Sequence, residues 1–346
     1  MSAQSGTLRL GDVLPFCSGM GGDQRFYSFE EQAGRPAVLL LAAMASPSEM
    51  EPLIQAFAAR GPAFEGKGVD LRLLVQLGAP GWITVAPPEG VKLVHCPDRA
   101  IFEAAAAPVV LVADRALRLV ARMDIDDPEA AAEAALAAAP DPGSAEAMSP
   151  APVLMRPGLF DPDFCRRLVE RFETGDHVDG TIASMDPGGA LYNKLDAGKK
   201  RRRDLVLEIH DPLQTEVAEV LSDRLVPEVF KAFHAETAFV DRVVIARYDD
   251  TGGYFSRHRD NASPHLAYRQ FALSVNLNTG DYEGGALRFP EFNDLGYEPP
   301  AGGGIVFSAS LLHEASPVTR GSRYVLLTFL HSAAAEARRV AGSRAA

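Results

Sequence analysis

The chain is poor in cysteine: Cys17, Cys96 and Cys165 are the three in 346 residues. They are odd in number, far apart and never spaced Cys-x-x-Cys, so neither a zinc ribbon nor a disulfide framework fits. Buried structural thiols are the expectation, with redox pairing of Cys17 and Cys96 as the alternative. Long apolar runs are also lacking. The longest, near Val38–Met44, falls far short of the ~20 residues that a membrane helix needs. Met1–Asp12 shows no basic stretch followed by an apolar one, so no secretory leader is expected. Positive charge is in deficit: 34 Lys and Arg face 46 Asp and Glu, a net −12 at pH 7. That balance argues against nucleic acid or an anionic membrane as main partner. A soluble, cytoplasmic protein of a reducing compartment is expected.

What is present is an ordinary globular composition, 47% hydrophobic and 23% charged. Single cores stop growing at roughly 250–300 residues, so two domains are the default. Val38–Leu41 reads as a buried strand, and a Ser46–Ser48 turn leads into helical spacing through Met50, Leu53, Ile54 and Phe57. Val69–Gln76 and Pro108–Val112 are further apolar strands. This alternation predicts an α/β domain with a partly parallel sheet over residues 1–140. Pro128–Ala139 reads as an Ala-rich helix opened by proline. Residues 141–152, rich in Pro and Ala, read as a linker.

A second domain is expected over residues 153–335, with 336–346 as a tail. Asp161-Pro162 signals a helix start, and Phe164, Leu168 and Phe172 form one stripe. A second helix is expected over Leu213–Phe233. The period then shifts to two, with short strands at Phe239–Tyr248, Phe271–Asn278, Ala286–Phe289, Gly304–Ala309 and Arg323–Leu330, separated by glycine-rich turns. Helices followed by many short strands suggest an antiparallel barrel or double-sheet roll.

The chemistry concentrates at His258-Arg259-Asp260. Alternate residues of an extended segment point the same way, so His258 and Asp260 can share a face. His313 follows another strand. Two histidines and a carboxylate form the facial set that suits ferrous iron, leaving open positions for a chelating cosubstrate and O2. Arg323 heads the next strand. An arginine deep in a barrel wants a carboxylate to hold in its fork, and a dicarboxylate cosubstrate supplies one. His177-Val178-Asp179 repeats the His-x-Asp spacing without the preceding strand and glycines, and reads as a surface loop.

The run from Tyr248 to Asn261 resembles the iron-binding stretch of the prolyl-4-hydroxylase-like 2-oxoglutarate oxygenases. Leu273–Asn278, Gly284-Gly285-Ala286-Leu287-Arg288-Phe289, Pro300–Gly302 with Ile305–Phe307, and His313-Glu314 with Arg323 resemble its later elements in order. The resemblance covers roughly Val153–Ser332. It implies a double-stranded β-helix (jelly roll) with flanking helices. It implies Fe(II) held by His258, Asp260 and His313, with 2-oxoglutarate chelating the metal, its distal carboxylate on Arg323 and a hydroxyl donor at Tyr248. The implied reaction is hydroxylation of a protein (prolyl-type) or small-molecule substrate, with succinate and CO2 as coproducts. Ascorbate, which the family often uses to rescue oxidised iron, is a further expectation. Two departures stand out: animal collagen-type members carry Lys where this chain has Arg323, and Asn276 stands where some members have an aromatic residue.

The first half resembles a peroxiredoxin or thioredoxin-like domain through Gly11–Pro15, Arg35–Leu41 and Pro108–Asp114. A peroxidatic cysteine would fall near Ser46–Met50, and none is there. A thiolate is the nucleophile in that chemistry, so peroxidase activity is not expected. A binding or homodimerisation module is the expected role. A non-oxidative, cupin-like metal-binding jelly roll is the alternative for the second half. The basic run Lys199–Arg203 reads as a solvated loop, or as a guide for an anionic substrate. Asn261 reads as a turn cap or a substrate-side residue, and Arg257 and Arg259 as solvated flanks.

Overall fold

The computed structural model describes residues 8–29, 32–141, 148–185 and 191–345. Residues 142–147 of the 141–152 linker therefore lie outside the described residues. The chain divides into two compact units, one of Met1–Ala151 with Pro290–Asp294, the other of Pro152–Phe289 with Leu295–Ala346.

The first unit carries strands β1 (Ser18–Gly21), β2 (Phe26–Ser28), β3 (Ala37–Ala43), β4 (Asp70–Gln76), β5 (Lys92–Cys96), β6 (Val109–Ala113) and β7 (Leu119–Met123). Its helices are α1 (Pro47–Ala59), α2 (Gly61–Gly66), α3 (Ala100–Ala105) and α4 (Pro128–Ala138). The strands form one sheet in the order β2-β1-β5-β4-β3-β6-β7. Only β3, β4 and β5 run parallel to their neighbours on those ladders. Val38–Leu41 is wholly buried, as expected of a strand covered on both faces. Met50, Leu53 and Phe57 of α1 and Ala132 and Ala135 of α4 pack on Val38 and Leu40. Ser46 starts α1 with a capping box, accepting from the Glu49 amide while the Glu49 side chain accepts from the Ser46 amide.

The second unit contains β8 (Val153–Arg156), α5 (Pro162–Thr174), β9 (Val178–Asp179), β10 (Ile182–Met185), β11 (Leu191–Lys194), β12 (Lys200–Arg201) and β13 (Arg203–Leu207). Helices α6 (Pro212–Arg224) and α7 (Val226–Phe233) follow, then β14 (Phe239–Val240), β15 (Val243–Asp249), β16 (Tyr254–His258) and β17 (Phe271–Asn276). The chain continues through β18 (Glu283–Gly284), β19 (Leu287–Arg288), β20 (Gly304–Ser308), β21 (His313–Ala315), β22 (Val318–Arg320), β23 (Ser322–His331) and α8 (Ala333–Ala345).

A large antiparallel sheet runs β8-β20-β17-β23-β15-β13-β9, and a small one runs β12-β16-β21-β19. From β15 onward the chain crosses between the two: β15 large, β16 small, β17 large, β19 small, β20 large, β21 small, β23 large. That alternation is the winding of a double-stranded β-helix. Phe164, Leu168 and Phe172 of α5 and Val217 and Leu221 of α6 share a core with Leu205, Ile245, Leu273 and Leu326 of the large sheet.

Three local expectations change. The single helix over Leu213–Phe233 is two, broken at Leu225, because Pro227 opens α7 without an N–H to give the preceding turn. The strand over Phe239–Tyr248 is split around Asp241, whose carboxylate accepts from Tyr268 and Arg269. Residues 336–346, read as a tail, largely belong to α8. Its alanines favour helix, and Glu336 ties its first turn to His331 across 2.9 Å.

Candidate metal centre

The turn between β15 and β16 sets up the site. Gly252 takes a φ of +92°, and a Cβ on Gly253 would lie 2.6 Å from the Asp249 backbone nitrogen. Glycine is needed at both places, one for conformation and one for space. The chain then enters β16, which pairs antiparallel with β21 so that His258 stands opposite His313. Asp260 follows two residues after His258, and its amide donates to the Ala309 carbonyl at 3.0 Å. That bond fixes the carboxylate beside the end of β20.

His258, Asp260 and His313 place their ligand atoms within 4.8 Å of one another, and they are the one such cluster among the described residues. His258 Nε2 is 3.5 Å from one Asp260 oxygen, and His313 Nε2 is 3.4 Å from the other. Each imidazole turns its Nδ1 to a backbone carbonyl: Ser256 at 2.7 Å for His258 and Leu311 at 3.0 Å for His313. A carbonyl only accepts, so Nδ1 carries the proton and Nε2 is left with its lone pair toward the centre. Burial pushes His313 down to about 4, with the charge of His258 adding to the shift. Burial alone would raise Asp260, but His313 and His258 outweigh it and hold the carboxyl below the usual carboxylate range. A neutral imidazole and an ionised carboxylate are the forms that a divalent cation takes. The donor set therefore fits iron. Phe255 stacks on His258 with ring centroids 3.5 Å apart and restricts its rotation.

Beside this cluster lies a buried cation. Arg323 is 3% exposed and is the cross-strand partner of Tyr248, between β23 and β15. Its guanidinium carbon sits 5.4 Å from the Tyr248 ring centre. Arg323 donates to the Asn276 side-chain oxygen at 2.8 Å, while its Nε has no hydrogen-bond partner. No carboxylate pairs with it among the described residues. Gly285 makes room for it: at φ +70°, a Cβ there would come 2.8 Å from the Arg323 Cδ. Asn276 is thus the residue that orients Arg323, which gives its departure from an aromatic a physical role.

Other singled-out residues fall into place. His177 stacks on Phe172 at 4.5 Å between ring centres and takes no part in the cluster. Asn261 donates to Ser310 Oγ at 2.7 Å and to the Arg269 carbonyl at 3.4 Å, joining two loops beside Asp260. Arg257 pairs with Glu314 at 3.2 Å, and Arg259 donates to the Ser310 carbonyl, so neither flank is merely solvated. The basic run is no solvated loop either. Lys200 and Arg202 are buried side chains on Asp204, at 3.0 Å and 2.7 Å, and Arg202 also donates to the Tyr248 hydroxyl at 2.8 Å. Sequence reasoning missed this. The signal was available: Lys200, Arg202 and Asp204 alternate at the period of a strand, which places them on one face.

Comparison with known proteins agrees with this centre. Residues 243–331 match the model of the 2OG-Fe(II) oxygenase superfamily. A PKHD-type hydroxylase of Pseudomonas fluorescens is 31% identical over 176 residues, spanning 49% of this chain and 73% of that protein. The chain belongs to the 2OG-Fe(II) oxygenase superfamily. A second PKHD-type hydroxylase, from Sphingopyxis alaskensis, is 29% identical over 184 residues, covering 50% of this chain and 76% of that protein. Among solved structures, a prolyl-4-hydroxylase from Pseudomonas putida is 17% identical with a TM-score of 0.40, covering 52% of this chain and 92% of that one. This oxygenase is an oxidoreductase that uses Fe(II), 2-oxoglutarate and O2.

Proposed function

We propose that His258, Asp260 and His313 hold the iron, that Arg323 binds the distal carboxylate of 2-oxoglutarate, and that Tyr248 gives that cosubstrate a hydroxyl. The observation that carries the cosubstrate assignment is Arg323. A buried guanidinium without a carboxylate is costly, and its fork matches a carboxylate in two parallel bonds. A dianion that reaches from the metal to Arg323 removes that cost and orients itself in one step. The iron, when bound, supplies the activation of O2. The net reaction is 2-oxoglutarate plus O2 plus a substrate C–H giving succinate, CO2 and a substrate C–OH. The chain's own part is to orient the ligands through their Nδ1 protons and to anchor the cosubstrate on a rigid strand pair.

We infer a prolyl-type protein residue as substrate, in line with the hydroxylases this chain resembles, with a small molecule as the competing choice. The first unit is read as a thioredoxin-like domain acting as a binding or homodimerisation module. Its three parallel strands support the fold. The first turn of α1, Ser46–Met50, has serine and glutamate where a peroxidatic cysteine would be needed. Thiol-dependent peroxide turnover that survives in the His258→Ala protein would overturn the second part.

The direct test is anaerobic addition of Fe(II) and then 2-oxoglutarate to the full chain, watching for the weak visible charge-transfer band of the chelate. Wild type is expected to show it and His258→Ala to lose it. Iron binding without any band in wild type would favour a metal-binding jelly roll that does not use 2-oxoglutarate.

A further inference from the structure

Arg202 lies outside the metal cluster and outside the pair formed by Arg323 and Tyr248, yet it is buried against both the tyrosine and a carboxylate. We propose that Arg202 is a positioning residue for the cosubstrate: it fixes the Tyr248 hydroxyl so that its proton is presented to the 2-oxoglutarate carboxylate held by Arg323. The inference rests on the reading of Tyr248 and Arg323 given above.

The hydrogen-bond inventory makes the case. Arg202 donates through Nη1 to the Tyr248 hydroxyl at 2.8 Å. A guanidinium has donors only, so the phenol oxygen accepts and keeps its own proton for another acceptor. Tyr248 is 3% exposed, and its hydroxyl has no second partner among the described residues. A free tyrosine hydroxyl rotates about its C–O bond and can offer its oxygen or its proton. Once Arg202 occupies a lone pair, the proton is the group left to offer.

Charge distribution separates the two arginines. Arg202 has a carboxylate: Nη2 donates to Asp204 Oδ2 at 3.2 Å, and Nε comes to 2.7 Å from Oδ1 at an angle too bent for a hydrogen bond. Lys200 braces the same carboxylate at 3.0 Å and donates to the Thr181 carbonyl at 3.0 Å. Among the described residues, Arg323 has one hydrogen-bond acceptor, the neutral Asn276 amide oxygen. The cation already matched by a fixed anion is the support, and the unmatched one is the ligand binder. The two guanidinium carbons lie 5.6 Å and 5.4 Å from the Tyr248 ring centre, so one aromatic side chain joins them. Arg202 is also 5.5 Å from the Phe255 ring that stacks on His258, which connects this network to the metal side.

The test is equilibrium binding of 2-oxoglutarate to the Fe(II)-loaded full chain without oxygen, in wild type, Arg202→Gln, Tyr248→Phe and the double variant. Arg202→Gln is expected to weaken 2-oxoglutarate by roughly tenfold, the worth of a hydrogen bond to a charged group. Fe(II) affinity measured without 2-oxoglutarate should stay as in wild type. The double variant should bind no more weakly than Tyr248→Phe alone, because Arg202 acts through that hydroxyl. Losses that multiply in the double variant, or wild-type affinity in Arg202→Gln, overturn the proposal. If Arg202→Gln does not fold, Arg202→Lys keeps a cation for Asp204 but cannot bridge both partners. It should bind 2-oxoglutarate several-fold more weakly, and wild-type affinity there would overturn the idea equally. Failure of wild type to bind 2-oxoglutarate at all would instead remove the reading on which the proposal rests.

Discussion

His258 and His313 stand directly opposite each other on β16 and β21, with ring centres 4.2 Å apart. Opposed residues on an antiparallel pair have Cβ atoms about 4.5–5.5 Å apart, so the two imidazoles are brought together by strand register. Asp260 then needs only to follow at the end of β16. The geometry is rigid because each ring is also held through Nδ1.

His313→Ala removes one imidazole of the proposed iron site and leaves Asp260 facing the other alone. Losing an outer partner of a metal site costs roughly 10–100-fold in affinity. Fe(II) titration should show a larger loss than that, while thermal unfolding of the metal-free protein changes little. Retained Fe(II) affinity would remove His313 from the ligand set.

Gly285→Ala tests the room left for Arg323. The substitution puts a methyl 2.8 Å from Arg323 Cδ and 3.0 Å from Val318, at a positive φ. A loss of about 1 kcal/mol or more in denaturant unfolding is expected. 2-Oxoglutarate affinity should fall along with it, and Fe(II) affinity should not.

The cysteines should be inert in the native chain. Cys17 and Cys96 are fully buried and in contact, Sγ to Sγ 2.8 Å, and Cys165 is 3% exposed. The hydrogen bond with Cys17, together with burial, pushes Cys96 up, and burial pushes Cys165 up to about 11. A thiol reagent at pH 7.5 is expected to label none of the three before unfolding and all three after it. Rapid labelling of one in the folded protein would point to a reactive thiol and reopen peroxide chemistry for the first unit.

Lys200 gives a pH signature. Burial, with the charge of Arg202, pushes its ammonium down to about 8, against the pull of Asp204. Between about pH 8 and its ordinary 10.5 the unfolded chain holds this proton and the folded chain does not. Stability from this group therefore rises with pH across that window, is complete above it, and is lost as pH falls through about 8. Denaturant unfolding at pH 7.5 and pH 10 should show a more positive slope for wild type than for Lys200→Met. Equal slopes would mean that Lys200 keeps an ordinary pKa.

The sequence alone carried much of what depends on neighbouring residues. His258 and Asp260 share a face because a strand repeats every two residues, and the glycines at 252 and 253 mark the turn that leads into that strand. Capping residues such as Ser46 and Asp161, each close to the amide it bonds, mark helix starts. The Pro227 break was equally local and legible, though the apolar stripe through Leu213–Phe233 hid it. Tertiary structure decided what depends on register between distant strands. It set His313 opposite His258, Arg323 opposite Tyr248, and Arg202 against the tyrosine hydroxyl. It also drew Lys200 and Arg202 of the five-residue basic run into a buried network, because Asp204 and the rings of Tyr248 and Phe255 compensate charges that would otherwise stay in water. Local spacing fixes which way a side chain points, whereas its partner, and so its charge and reactivity, is chosen by whichever strand the fold lays beside it.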